Sequence, residues 1–152
     1  MLDLRPIGDQ SAPGAKWLVA AAQGKRSISA QFVNNLNEAI QVVSFSQSGD
    51  ATDWMDGMAP YDGQIIPPVG NNAIWVGTYI DTVSFNEFGF TITLYCAGQQ
   101  VRFTAKKPKT GAATITYDPE SPPGLSIPKP IVVANATGNY PNGTVTISKS
   151  NL

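Results

Sequence analysis

Polar and apolar residues alternate with a period of two along most of this chain, and that alternation predicts strands. In Ser27-Ile28-Ser29-Ala30-Gln31-Phe32, Ile28, Ala30 and Phe32 share one face. In the segment 40–46, Ile40, Val42 and Ser44 are expected on one face and Val43 and Phe45 on the other. Ile74, Val76, Thr78 and Ile80 alternate with Trp75 and Tyr79. Phe90 to Tyr95, Val101 to Ala105, Ala113 to Tyr117, Ile131 to Val133 and Thr144 to Ile147 continue the pattern. Turn residues separate the runs: Asn34-Asn35-Leu36-Asn37, Gly98-Gln99 and Asn142-Gly143 are expected turns, because Asn and Gly tolerate left-handed backbone. Pro67-Pro68 cannot donate to a central ladder, so Ile65-Ile66 ends a strand or lies at an edge. No window carries an apolar stripe with a period of 3.6 residues. The pattern predicts an all-β fold, an antiparallel β-sandwich of about ten short strands.

Residues 1–16, with Pro6, Gly8, Pro13 and Gly14, read as an extended N-terminal arm. Residues 17–152 then form a single β-sandwich domain, in which Trp17 begins a strand and belongs to the core. The whole chain has 152 residues, which suits one core. Residues 118–130 contain Pro119, Pro122, Pro123, Pro128 and Pro130, and are an ordered crossing loop or a mobile one, not a helix.

Composition narrows the function. Charged residues make up 14% and the net charge is −1, with no run of Lys or Arg longer than two. No basic stripe is present to neutralise phosphates, so nucleic acid is not an expected partner. There is no histidine, which removes Ser-His-Asp and Cys-His catalysis and the commonest zinc ligand. No phosphate loop, dinucleotide fingerprint or nucleophile elbow occurs. The expectation is therefore a protein that is not an enzyme, has no cofactor and works by binding. Cys96 is the single cysteine and is expected to be a buried thiol. Neither a secretory signal nor a membrane-spanning run is evident, so synthesis in the cytoplasm without a signal peptide is expected, with release as the route to an extracellular target.

The most unusual segment is Ser48 to Gly63, which holds Asp50, Asp53, Asp56, Asp62, Trp54, Tyr61, Met55 and Met58. Three readings compete. Its carboxylates resemble a calcium loop, but Asp50, Asp53 and Asp56 are spaced by three rather than two. Its apolar residues suit a contact surface, with Trp54, Met55, Met58 and Tyr61 meeting a membrane or ligand. Alternatively, Trp54 and Met58 fold back to plug one end of the sandwich.

Three stretches resemble the aegerolysins, small β-sandwich proteins of fungi and bacteria that include insecticidal members. They are Ile65-Ile66-Pro67-Pro68 with Trp75 to Thr78 and Phe88 to Ile92; Gln100-Val101-Arg102-Phe103 with Pro108 and Thr110; and Gly138 to Ile147. Where members often carry a Trp-Asp-Cys-Pro-Trp type segment, this chain has Ala105-Lys106-Lys107-Pro108-Lys109. The resemblance implies a module that binds a membrane lipid or receptor, often the small component of a two-component pore-forming toxin with a larger protein partner. Self-association is left open. An alternative reading is a structural protein, such as a phage decoration or minor capsid subunit, and a third is a lectin-like module whose aromatic loops stack on sugars.

Overall fold

The structure is a computed structural model that describes residues 26–49, 53–80 and 86–150. The expected arm at 1–16, Trp17 and Asp50 lie outside the described residues. Among the described residues there is no helix, and eleven strands form two sheets. They are β1 (Arg26–Asn35), β2 (Ile40–Gly49), β3 (Asp53–Trp54), β4 (Ile65–Ile66), β5 (Asn72–Ile80), β6 (Phe88–Cys96), β7 (Gln99–Lys107), β8 (Thr114–Asp118), β9 (Leu125–Ser126), β10 (Val133–Ala134) and β11 (Asn142–Lys149). The first sheet has the order β10-β11-β1-β5-β3, with β9 also paired to β11. The second has the order β4-β2-β6-β7-β8. All pairings are antiparallel except β1 with β11, which is parallel.

The alternation explains the core. Even-numbered residues of β1 and β6 and odd-numbered residues of β7 point between the sheets, where Phe32, Phe88, Phe90, Ile92, Leu94 and Phe103 are fully buried. Phe32 and Phe103 meet edge to face across the sandwich at 5.1 Å. At one end the inward alternation finishes on two cations. Arg26 lies 5.2 Å from the Phe88 ring centre, and Lys107 Nζ donates to Ala136 O at 3.3 Å. Burial, followed by the nearby charge of Arg26, pushes the Lys107 ammonium below its ordinary pKa.

Three sequence expectations change. A bulge between Val42 and Ser44 breaks the register of β2 against β6. The extra residue reverses the phase, so Phe45 pairs with Ile92 and packs against the core, while Val43 is exposed. Asn142-Gly143 is not a turn but the start of β11, paired to both β1 and β10. Gly143 is there for close approach: a Cβ would sit 2.8 Å from Ile115 Cδ1 and 3.0 Å from Val132 O. The β6–β7 hairpin turns at Ala97-Gly98, one residue earlier than expected, with φ of 50° and 82° as a type I′ turn demands.

Asn34 and Asn35 end β1 rather than forming the turn themselves. Asn34 organises it instead. Its Oδ1 accepts from Leu36 N at 2.9 Å, and its Nδ2 donates to Glu38 O and Ile66 O, both at 2.9 Å. These bonds tie the β1–β2 turn to β4, which lies at the sheet edge and stops before Pro67, as the prolines require.

Cys96 is fully buried at the end of β6, and burial pushes its thiol from 9.0 up to about 12. The folded pKa is raised above the unfolded one, so this group's contribution to stability is complete below pH 9 and is lost as pH rises from there toward 12. Cys96→Ala is expected to lose less stability than the parent between pH 9 and 10.5 in urea titrations. Equal losses would show that Cys96 does not set this dependence.

Candidate functional site

The segment after β2 crosses the edge of the first sheet and divides its apolar residues between two places. Asp53-Trp54 pairs with Tyr79-Thr78 of β5, and the Gln47 amide, with its oxygen toward this strand, accepts from Trp54 N at 3.2 Å and Asp53 N at 3.3 Å. The pairing turns Trp54 inward, where its ring lies 5.9 Å from Phe45 and 6.0 Å from Phe90. It bridges β2, β3 and β6 at the open side of the sandwich.

Met55 then points to the opposite side of β3. Met55 N donates to Gly77 O at 2.9 Å, Met58 N to Met55 O at 2.8 Å, and Gly77 N to Met58 O at 3.2 Å. Asp56-Gly57 forms the tight turn, with Gly57 at φ 73°. Met55 and Met58 are thereby laid on the outer face of β5, in a small cluster with Trp75 and Tyr79. Gly77 makes room for this, because a Cβ there would collide with Met55 Cε. On the same face the Ser27 and Ser29 hydroxyls and Trp75 Nε1 are buried without a hydrogen-bond partner.

These placements correct the expected contact set. Met55 and Met58 are 1% and 0% exposed and cannot meet a ligand in this conformation. Met58 covers the outside of a sheet rather than plugging an end. Trp54 is half-buried and packs on the core. Asp53 and Asp56 are exposed, and among the described residues no group of three acidic or Cys side chains is arranged to hold a metal ion. Trp54→Ala is therefore expected to lower stability by about 3 kcal/mol, the low end for an aromatic deletion because the ring is not fully enclosed. A melting temperature unchanged from the parent would contradict this packing role.

Of the four, Tyr61 alone is well exposed, at 62%. It belongs to a turn in which Tyr61 N donates to Gln64 Oε1 at 3.3 Å and Gln64 N to Tyr61 O at 3.1 Å. Gly63 N donates to Val42 O at 3.1 Å, and Val42 N to Gln64 O at 2.8 Å, so this turn is stitched to β2 beside the bulge. Three further exposed apolar residues lie around it: Val43 at 40%, Ile65 at 47% and Tyr95 at 44%. Register places Ile65, Gln41, Tyr95 and Gln100 in one row across β4, β2, β6 and β7 on the outer face of the second sheet. Val43 adjoins the row because it is two residues from Gln41 on the same face of β2. The row holds no charged residue. The nearest charges by register are Arg102 and Asp118, 3.9 Å apart and exposed, one row of the face further on.

Val43, Ile65 and Tyr95 were not among the expected contacts. The phase of β6 carried the signal for Tyr95, which alternates against the buried Phe90, Ile92 and Leu94. Val43 carried the same kind of signal, since it alternates against the buried Ile40 and Val42.

No family model matches the chain, and no curated protein matches it. Solved structures do. IP-1A from Alcaligenes faecalis superposes with a TM-score of 0.56 at 11% identity, over 84% of this chain and 94% of that one. The RahU protein, solved in complex with a TRIS molecule, superposes with a TM-score of 0.61 at 12% identity, over 84% of this chain and 98% of its own. Both are small β proteins, and the shared architecture fits an aegerolysin-like fold. At these identities the likeness is one of fold.

Proposed function

We propose that this is a non-catalytic binding protein that attaches to a target membrane through the outer face of its second sheet, at Val43, Tyr61, Ile65 and Tyr95. The observation that carries the reading is this group of exposed apolar and aromatic side chains around an uncharged row, three of them on the sheet and Tyr61 on a turn hydrogen-bonded to β2. Two tyrosines pair an apolar ring with a polar tip, the chemistry that suits a lipid–water interface. Exposed apolar patches mark interaction sites, and this one, with no Lys or Arg in its row and the exposed Asp62 beside Tyr61, favours neutral lipid over an anionic surface. The resemblance to aegerolysins supports a role as the small component of a pore-forming or insecticidal pair, recruiting a larger protein after it binds. The absent histidine and, among the described residues, the exposed and scattered carboxylates support a protein without catalysis. Flotation with vesicles of different neutral and anionic lipid compositions tests the reading. Binding to at least one neutral composition is expected, with little dependence on salt. Failure to float with every composition would reject it.

A further inference from the structure

We propose that the cleft framed by the proline-rich segment 119–130 is a binding site for a small neutral saccharide, held against the ring of Tyr117. The cleft has a volume of about 450 Å³ and adjoins a second of about 240 Å³, the two sharing Tyr117, Glu120 and Lys129. Together they fall in the size range of small-molecule sites. They lie at the β8 edge of the second sheet, the edge opposite β4, so the inference is independent of the membrane reading.

The cleft is preformed. Five prolines restrict the segment's backbone, and it is anchored to its surroundings at several points. Tyr117 Oη donates to Ile127 O at 3.1 Å, Gln99 Nε2 donates to Pro123 O, and Ser150 N donates to Gly124 O at 2.9 Å. Leu125-Ser126 is itself strand, paired with Lys149-Ser148 of β11. A second contact fixes the Tyr117 ring, since Phe103 packs against it at 5.8 Å between centroids. A binding wall that is already ordered loses little conformational freedom when a ligand arrives.

The lining selects the ligand class. Tyr117, Pro122 and Leu125 supply apolar surface, while Ser121, Ser126 and Glu120 supply hydroxyl and carboxylate oxygens. A purely apolar ligand would leave those polar groups unmatched. Lys129 Nζ and Glu120 Oε2 are 3.5 Å apart and offset each other's charge, so neither an anion nor a cation is favoured. A sugar ring matches both demands. Its C–H face packs on an aromatic ring, and its hydroxyls both donate to Glu120 and accept from Lys129 and the serines. A monosaccharide or disaccharide suits the volume.

Saturation-transfer NMR of the full chain against glucose, galactose, mannose, N-acetylglucosamine and their common disaccharides tests the inference. At least one is expected to receive saturation at millimolar concentrations. The double variant Glu120→Ala/Lys129→Ala changes two exposed side chains and keeps the fold, and it should weaken that binding by about tenfold or more. Tyr61→Ala/Tyr95→Ala should leave it unchanged. Absence of transfer to every sugar overturns the proposal, as does binding that the Glu120/Lys129 variant leaves intact. Preferential binding of an amino-acid zwitterion such as glycine betaine would also overturn it.

Discussion

Gly89→Ala is expected to destabilise this protein by about 4 kcal/mol or more, a large part of the roughly 5–15 kcal/mol that holds a domain together. Gly89 is paired on both sides, with Ser48 of β2 and Lys106 of β7. A Cβ at this position would collide with Ala105 O, and would lie 2.9 Å from Ala105 C and 3.2 Å from Lys106 Cα. Those are backbone atoms of the neighbouring strand, so no rotamer change relieves the overlap. Overpacking a core by a methylene costs about 1–3 kcal/mol when side chains can adjust, and more when a strand must move. Moving Gly89 also disturbs Thr78 Oγ1, which donates to Gly89 O at 3.2 Å and links β5 to β6. Gly138→Ala is the matched control. Its Cβ would meet Asn135 O at 3.5 Å, ordinary contact, and the change should stay within about 0.5 kcal/mol. Urea unfolding of both variants provides the comparison. Parent-like stability for Gly89→Ala would show that β6 and β7 are not packed as described.

Tyr61→Ala/Tyr95→Ala should weaken vesicle binding by about one to two orders of magnitude while leaving the melting temperature within a few degrees of the parent. Burying a large apolar side chain contributes about 1.5–3 kcal/mol, and a loss of that size is worth about ten- to a hundred-fold in affinity. Tyr61 and Tyr95 are already 62% and 44% exposed in the free protein and lie outside the core, so truncation removes little core packing. Trp54→Ala gives the opposite signature, a fall in melting temperature without specific loss of binding by the folded fraction. The two variants therefore separate the proposed contact residues from a packing residue. If Tyr61→Ala/Tyr95→Ala binds like the parent, the outer face of β4, β2 and β6 is not the contact surface. If Trp54→Ala instead loses binding at unchanged stability, the segment works through Trp54 and the packing described above is wrong.

The sequence already revealed the all-β class, most strand positions and the inner face of β1, β6 and β7, because period-two alternation is a local property. It also determined that Pro67 ends an edge strand, since a proline has no N–H to donate wherever it sits. Tyr61 was expected at a contact surface on the same local grounds, and it is exposed. Tertiary structure decided the rest. The bulge after Val42 is a feature of pairing with β6, and it alone put Phe45 inside, on the face opposite Val43. Met55 and Met58 looked like surface residues among aspartates. They became buried because Gly77, about twenty residues away in sequence, leaves room for Met55 on the outer face of β5. Asn142-Gly143 carries a turn signal, yet packing of β10 and Ile115 claimed the glycine for close approach. The row of Ile65, Gln41, Tyr95 and Gln100 joins four strands, so no single segment displays it. Alternation fixes which way a residue points within its own strand. Which neighbours it then meets depends on register between strands far apart in sequence, and that is set only when the sheets assemble.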